Sequence, residues 1–415
     1  MEVLIQEVPV SDTAVAASRW RLLSLWISQV AHFAGTYALR VFAALRVGSE
    51  GVVSSGSAWH LVTALFMLPA VFLAPFYGAA GNSLPKASVL RRSALFGLAV
   101  AAYFTWLNHG WLACVVLAAL GSASYAPTRL AMLPAAAHES RIPLNTVVGI
   151  IETGSVLAIV GGMIVGGVLV DRNVGANGQI AAAMLWVTGC FAICLIASGP
   201  ACFATDVRRP EPVLSALRSF FRDVADFFRN PATRRSLLAI AYLRGVVTAG
   251  AGAFIAVSLR ESSTPPITVM MTIAMVTMGG TGLGCFLASM ARDPRRSLGL
   301  IPIGAVGLTA CLAAVAAYDS IPLYLCFCVG CCAGLINVPL LAAFQRSLAP
   351  ATRGNAMALL NTAGYLAMTL SSLLFAGLAQ SGLVTPRGQF WCVTALAAAG
   401  AAVSLVLLNR APEPP

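Results

Sequence analysis

Long apolar runs separated by short, arginine-bearing segments dominate the chain. Twelve runs can be drawn, at about 22–46, 57–80, 93–108, 110–128, 144–170, 179–203, 236–259, 267–290, 298–317, 321–344, 355–380 and 388–409. Roughly 20 apolar residues cross a bilayer core as one helix, so each run predicts a transmembrane helix, the longer ones tilted. Pro69, Pro75, Pro127, Pro302 and Pro339 fall inside or beside these runs, which membrane helices tolerate. One stretch reads differently. Between Val213 and Asn230, Leu214, Leu217, Phe221, Val224 and Phe228 recur at helical spacing, while Arg218, Arg222 and Asp226 fall elsewhere. That pattern predicts an amphipathic helix lying along the membrane interface, ended by Pro231.

Composition agrees. Of the 415 residues, 59% are hydrophobic and 10% charged, against about half and about a quarter in a soluble domain. The excess excludes a water-soluble globular protein, a disordered chain and a disulfide scaffold. The first 18 residues contain Glu2, Glu7 and Asp12 but no Arg or Lys, so no signal peptide is expected and the first run should remain as an anchor. The 11 cysteines are scattered over apolar runs. Even the group at Cys326, Cys328, Cys331 and Cys332 lacks a nearby His or carboxylate, so helix packing explains it better than a metal. No metal or cofactor is expected.

The net charge is +11, carried by 25 Arg and the single Lys86. In a soluble protein this would suggest nucleic acid; here the charges sit in loops and report topology, and no nucleic-acid partner is expected. With both termini cytoplasmic, 20 of the 26 basic residues lie on the inner side and 4 on the outer, leaving Arg40 and Arg244 inside runs. The predicted organisation is a tail over 1–21, a six-helix bundle over 22–203, a cytoplasmic linker over 204–235 with the amphipathic helix, a second six-helix bundle over 236–409, and a tail over 410–415. The halves echo each other. Gly78, Asn82, Lys86, Arg91 and Arg92 follow run 2, as Gly284, Arg292, Arg295 and Arg296 follow run 8. Pro127 and Arg141 are spaced like Pro339 and Arg353. A parallel repeat of this kind resembles the architecture of the major facilitator superfamily (MFS), two six-helix bundles around a central cavity.

Ionisable groups inside the runs are the informative ones, because each costs about 2.5–3.5 kcal/mol or more at the bilayer centre. Glu152 is the one acid well inside a run, among Gly149, Gly154, Gly161, Gly162 and Gly166, which let its helix pack closely. It either pairs with a headgroup or with Arg129, or anchors two helices. Arg129, placed at the end of run 4, offers a forked pair of donors to an oxyanion, or simply marks the inner mouth. Arg244 either enters the cavity or snorkels, and Arg40 should turn to the outer interface. His32 and Gln29 share a face of run 1, where a lone His is more often structural. No Walker loop and no Ser, His and Asp set appears, so an enzyme is not expected.

Three stretches resemble the lysophospholipid transporter family of the MFS. The first is Ser124-Tyr-Ala-Pro-Thr-Arg129-Leu-Ala-Met-Leu-Pro134 with Gly149-Ile-Ile-Glu152-Thr-Gly154. The second is Gly282-Leu-Gly-Cys-Phe-Leu-Ala-Ser with Leu298-Gly-Leu-Ile-Pro302-Ile-Gly304. The third is Val338-Pro339-Leu with Gln345, Arg353-Gly354 and Asn361. The resemblance implies a monomeric carrier that moves lysophospholipid across a bacterial inner membrane by alternating access, with membrane lipid as cargo and a separate acyltransferase as partner. It implies substrate contacts at Arg129 and Glu152; from their places in the runs and loops, Arg244, His32, Gln29 and Thr36 are further candidate contacts, and Gly78, Asn82, Lys86, Arg292 and Arg353 candidate gating residues. The family's helix-1 acid is replaced around Thr36, and its usual gating Asp by Asn82. Efflux of hydrophobic drugs or other organic solutes, or a non-transporting sensor or scaffold, are the competing expectations.

Overall fold

The structure, a computed structural model, describes residues 12–49, 55–107, 109–171, 177–206, 211–261, 266–318, 322–381 and 384–409. These residues form fourteen α-helices, one short 3-10 turn and no strand. The first half comprises α1 (Asp12–Ser49), α2 (Ser55–Phe72), α3 (Ala74–Ser83), α4 (Lys86–Leu107), α5 (Trp111–Ser140), α6 (Leu144–Asp171) and α7 (Asn177–Ala197). Then come α8 (Val213–Arg229), α9 (Pro231–Glu261), α10 (Pro266–Ser289), α11 (Pro294–Ala317), α12 (Leu323–Arg346), α13 (Arg353–Ser381) and α14 (Pro386–Asn409). Among the described residues, eight helices are long and apolar enough to cross a membrane by themselves. A ninth crossing is the pair α2 and α3, one rod bent by 58° at Leu73. The bend falls before Ala74-Pro75, where proline cannot donate to the preceding turn. With α1, α7 and α9, the described helices other than α8 trace all twelve predicted runs.

Helices α1 to α7 pack on one another, and so do α9 to α14; the two groups meet mainly along α6 with α10 and α3 with α13. The α10–α12 pair is drawn close by two interlocked small-residue rows. A Cβ on Gly280 or Gly284 would collide with the backbone of Phe327 or Cys331, and one on Gly330 or Gly334 with that of Thr277 or Thr281. In a bilayer, where hydrophobicity does not drive helices together, such contact comes from backbone approach. The same device joins α6 to α1, with Gly162 and Gly166 against Ala34 and Ala38.

One expectation is corrected here. Run 4 was expected to end near residue 128, but α5 continues to Ser140 through Pro127 and Pro134. Pro134 cannot bond the carbonyl of Leu130 four residues back. Gln345 of α12 donates to that carbonyl at 3.1 Å, so the helix survives its proline by borrowing a donor from the other half. Arg129 therefore lies well inside α5, not at its mouth.

Helix α8 forms over the expected segment, and it turns a second, unpredicted face to the protein. Ala216, Ser219, Phe220, Asp223 and Phe227 are buried, while Phe221 and Phe228 stay exposed. Phe220 packs with Ala74 of α3 and Ala358 of α13, and Asn355 of α13 donates to Asp223 at 2.7 Å. The exposed phenylalanines form the face that an interface of lipid would take.

Candidate functional site

Arg129 is almost fully buried where α5 passes α1 and α6. Its Nη1 donates to Gln29 Oε1 of α1 and, at 3.1 Å, to Ser155 Oγ of α6. Its Nη2 meets Glu152 Oε1 at 3.3 Å, and Phe33 lies under the guanidinium, 4.8 Å from its ring centre. Each support is itself fixed. Gln29 donates to the carbonyl of Ile151 at 2.6 Å, and Ser155 donates to the same carbonyl at 3.0 Å. Asn337 of α12 donates to the other oxygen of Glu152 at 3.4 Å, so the pair touches both halves. The Nε of Arg129 is buried without a hydrogen-bond partner. A buried charge held by neutral oxygens, one aromatic face and one carboxylate has donor capacity left for an anion.

Arg244 stands on α9 across from this cluster. Its guanidinium lies against Gly364 of α13, so closely that a Cβ there would overlap it. The Tyr365 hydroxyl is within electrostatic reach of Arg244, Arg129 and Arg40 together. Arg244 has no hydrogen-bonded or ion-paired partner among the described residues. Arg40, expected to turn outward, is instead 3% exposed. It donates to Thr63 of α2 at 2.8 Å and stacks over Tyr37 and Phe66. The ring faces stabilise a desolvated guanidinium, which removes the need to snorkel.

The remaining substrate-contact candidates are placed differently. His32 stacks on Tyr125 at 3.9 Å, hydrogen-bonds Ser122 at 3.1 Å and meets Phe191 edge-on. It belongs to a packed patch of the first half, beside Ser28, Tyr125 and Ser198, which bond one another at 2.8 Å. Thr36 is buried, and its hydroxyl has no hydrogen-bond partner in the structure.

Of the gating candidates, Asn82 joins the halves: its Oδ1 accepts from the Gly354 amide at 2.7 Å, at the first turn of α13. Gly78 sits where a Cβ would press on Asn355 and Phe220. Lys86 pairs with Asp206 at the start of the linker, and Arg353 lies near the same carboxylate. Arg292 is exposed and joins nothing across the interface among the described residues.

Sequence reasoning missed Asn145, at the start of α6. Its Nδ2 donates to the carbonyls of Ala288 and Ala291 at 2.7 and 2.9 Å, and its Oδ1 accepts from Ser297 at 2.7 Å. Thr146 adds a bond to the Ser289 carbonyl at 2.8 Å. The bonds that Asn82, Asn145, Thr146 and Gln345 make between the halves all lie toward the end that carries the α7–α8 linker. A buried apolar cluster runs across the halves at that end, from Leu22 and Val147 to Ala288, Phe344 and Met357. That end is closed.

Sequence and fold comparisons point the same way. The family model of the Major Facilitator Superfamily matches residues 25–372. The lysophospholipid transporter LplT of Escherichia coli O7:K1 is 26% identical over 317 residues, covering 72% of this chain and 74% of that protein. That of Photorhabdus laumondii is 24% identical over 292 residues, covering 68% and 70%. Among solved structures, the human organic anion transporter MFSD10 (TETRAN) superposes with a TM-score of 0.73 at 14% identity, over 93% of this chain and 99% of that one. The E. coli fucose:proton symporter FucP gives 0.68 at 14% identity, over 95% and 98%.

Proposed function

The chain belongs to the Major Facilitator Superfamily and is a multi-pass membrane transporter, and on that premise we propose that it carries lysophospholipid-like amphiphiles across a bacterial inner membrane by alternating access. The observation that carries this reading is the Arg129 guanidinium, buried between Gln29, Ser155 and Glu152 and bridged through Asn337 to the other half. A phosphodiester entering between the halves meets one guanidinium with an idle donor, and a second, Arg244, across the interface. The overall similarity to LplT supports the same cargo class.

With the basic residues facing the cytoplasm, the closed end is the cytoplasmic one, and the described state is the one that receives cargo from the outer leaflet. The anionic group displaces Glu152 from Arg129 and loosens the Glu152–Asn337 contact. The halves, no longer tied there, are free to rock about the α6–α10 seam. The apolar tail stays among helices or in lipid, where its transfer costs little.

The test is uptake of labelled lysophosphatidylglycerol into proteoliposomes. Arg129→Ala is expected to abolish uptake while the purified protein keeps its elution profile and helical spectrum. Wild-type uptake by that variant would refute the site. A hydrophobic cation assayed beside the lipid distinguishes drug efflux, because a positively charged cluster repels such a solute.

A further inference from the structure

A cavity of about 810 Å³ opens inside the second half, away from the Arg129 cluster. Its floor is Leu243, Ala305, Leu308 and Ile336, all buried; Leu308 is 4% and Ile336 5% exposed. Leu238 and Tyr242 of α9 and Val403 of α14 form its open side, each exposed. Arg235, Ser236 and Ser404 stand at its mouth, at the linker end. From Arg235 to Val246 the lining follows α9 for 11 residues, or about 16 Å at 1.5 Å per residue. That depth is about half of a 30 Å hydrocarbon core, the reach of one leaflet.

Two of the polar side chains around the cavity are tied to backbone carbonyls. The Tyr242 hydroxyl donates to the Leu396 carbonyl, and the Ser404 hydroxyl to that of Ala401. Arg235 is exposed and has no hydrogen-bonded or ion-paired partner among the described residues. A space of this size and apolarity suits a ligand better than water, which needs two to four polar partners per molecule.

We infer that this cleft holds one acyl chain of an anionic phospholipid from the linker-side leaflet, with the lipid phosphate on Arg235. The site is separate from the transport cluster: Arg244, on the same helix, contacts α13 instead. Moving a chain from bilayer to cleft exchanges one apolar surrounding for another, so the hydrophobic effect does not choose the occupant. The charged anchor does, and an anionic lipid is retained over a zwitterionic one.

Photolabelling tests this with the full chain in phosphatidylcholine vesicles. The probe is phosphatidylglycerol carrying a diazirine at mid-chain, and labelled peptides are mapped by mass spectrometry. Labels on Leu308 and Ile336 are expected, since ordinary surrounding lipid does not reach residues this buried. Leu308→Trp should fill the floor and remove the Ile336 label while the Val403 label persists. Arg235→Gln, a substitution at an exposed site, should cut the Ile336 label about tenfold, the equivalent of one charge-assisted contact. Labels confined to Leu238 and Val403 would overturn the inference. So would equal Ile336 labelling by a phosphatidylcholine probe, or Ile336 labelling indifferent to Arg235→Gln.

Discussion

On the proposed function, Glu152 and the cargo compete for the same guanidinium, so removing the carboxylate's charge should tighten binding rather than weaken it. Glu152 Oε1 lies 3.3 Å from Arg129 Nη2. Two unit charges at that distance attract by about 5 kcal/mol at an effective dielectric of about 20. Desolvation offsets much of this, and a hydrogen bond to a charged group contributes about 1.5–3 kcal/mol net. A phosphate must displace that contact before it can take its place. Glu152→Gln keeps an acceptor for Asn337 and nearly the same shape, but removes the competitor. At 1.4 kcal/mol per tenfold, affinity for lysophosphatidylglycerol should rise roughly 10- to 100-fold. Turnover should fall, because the carboxylate no longer helps expel the phosphate. Equilibrium binding in detergent and initial uptake rates in proteoliposomes read the two effects separately. Binding that is unchanged or weaker in a folded Glu152→Gln protein would refute the competition.

Three further outcomes test the frame around the site. Gly330→Leu should destabilise the second half, since even a Cβ there collides with the Thr277 backbone; overpacking costs about 1–3 kcal/mol or more, and an unchanged melting temperature would contradict the close approach of α10 and α12. Asn145→Ala removes three hydrogen bonds, two of them buried; at about 1 kcal/mol each, the linker end should open roughly 100-fold more often. Faster amide hydrogen exchange around residues 288–297 would report it, and exchange at the native rate would deny Asn145 a latch role. Asn82→Asp places a full negative charge at the first turn of α13, where about 0.3–1 kcal/mol is gained; exchange of the Gly354 amide should slow by roughly two- to fivefold.

The twelve runs were legible because a bilayer, unlike water, demands unbroken apolar helices, and little else spells such a pattern. The depth of Arg129 was not. Run 4 was drawn to end near residue 128, and the Gln345 donor from α12 shows how α5 continues through Pro134. A glutamine in an apolar run was the available signal, since a polar amide there needs a partner. The pairing of Arg129 with Glu152 was one of two expected roles, and the structure combines both, pairing the charges and anchoring helices through Asn337. The protein-facing side of α8, with Phe220 and Phe227, went unread because phenylalanines occupy both of its apolar faces, and periodicity does not say which face meets protein. The Gly280–Gly284 and Gly330–Gly334 spacings stood open in the sequence. Asn145 was invisible, because an asparagine beside a loop is ordinary until its carbonyl partners arrive from 143 and 146 residues away.

Asn82 shows how a departure from the family pattern is absorbed. The site accepts from the backbone amide at the first turn of α13, and a neutral amide oxygen fills that need as an Asp would, without the charge. The latch at the closed end is then built mostly from neutral bonds: Asn82 to Gly354, Asn145 to the α10–α11 turn, Thr146 to Ser289 and Gln345 to Leu130. Each is worth about 1 kcal/mol net, so the set amounts to a few kcal/mol. A carrier needs this modesty. A ligand shifts a two-state equilibrium only by its differential affinity, and reversing a 99:1 bias takes about 5.5 kcal/mol. Two guanidiniums meeting a phosphate supply an energy of that order, whereas a latch of buried ion pairs would exceed it. On the proposed function, neutral closure and charged cargo recognition are thus matched parts of one switch.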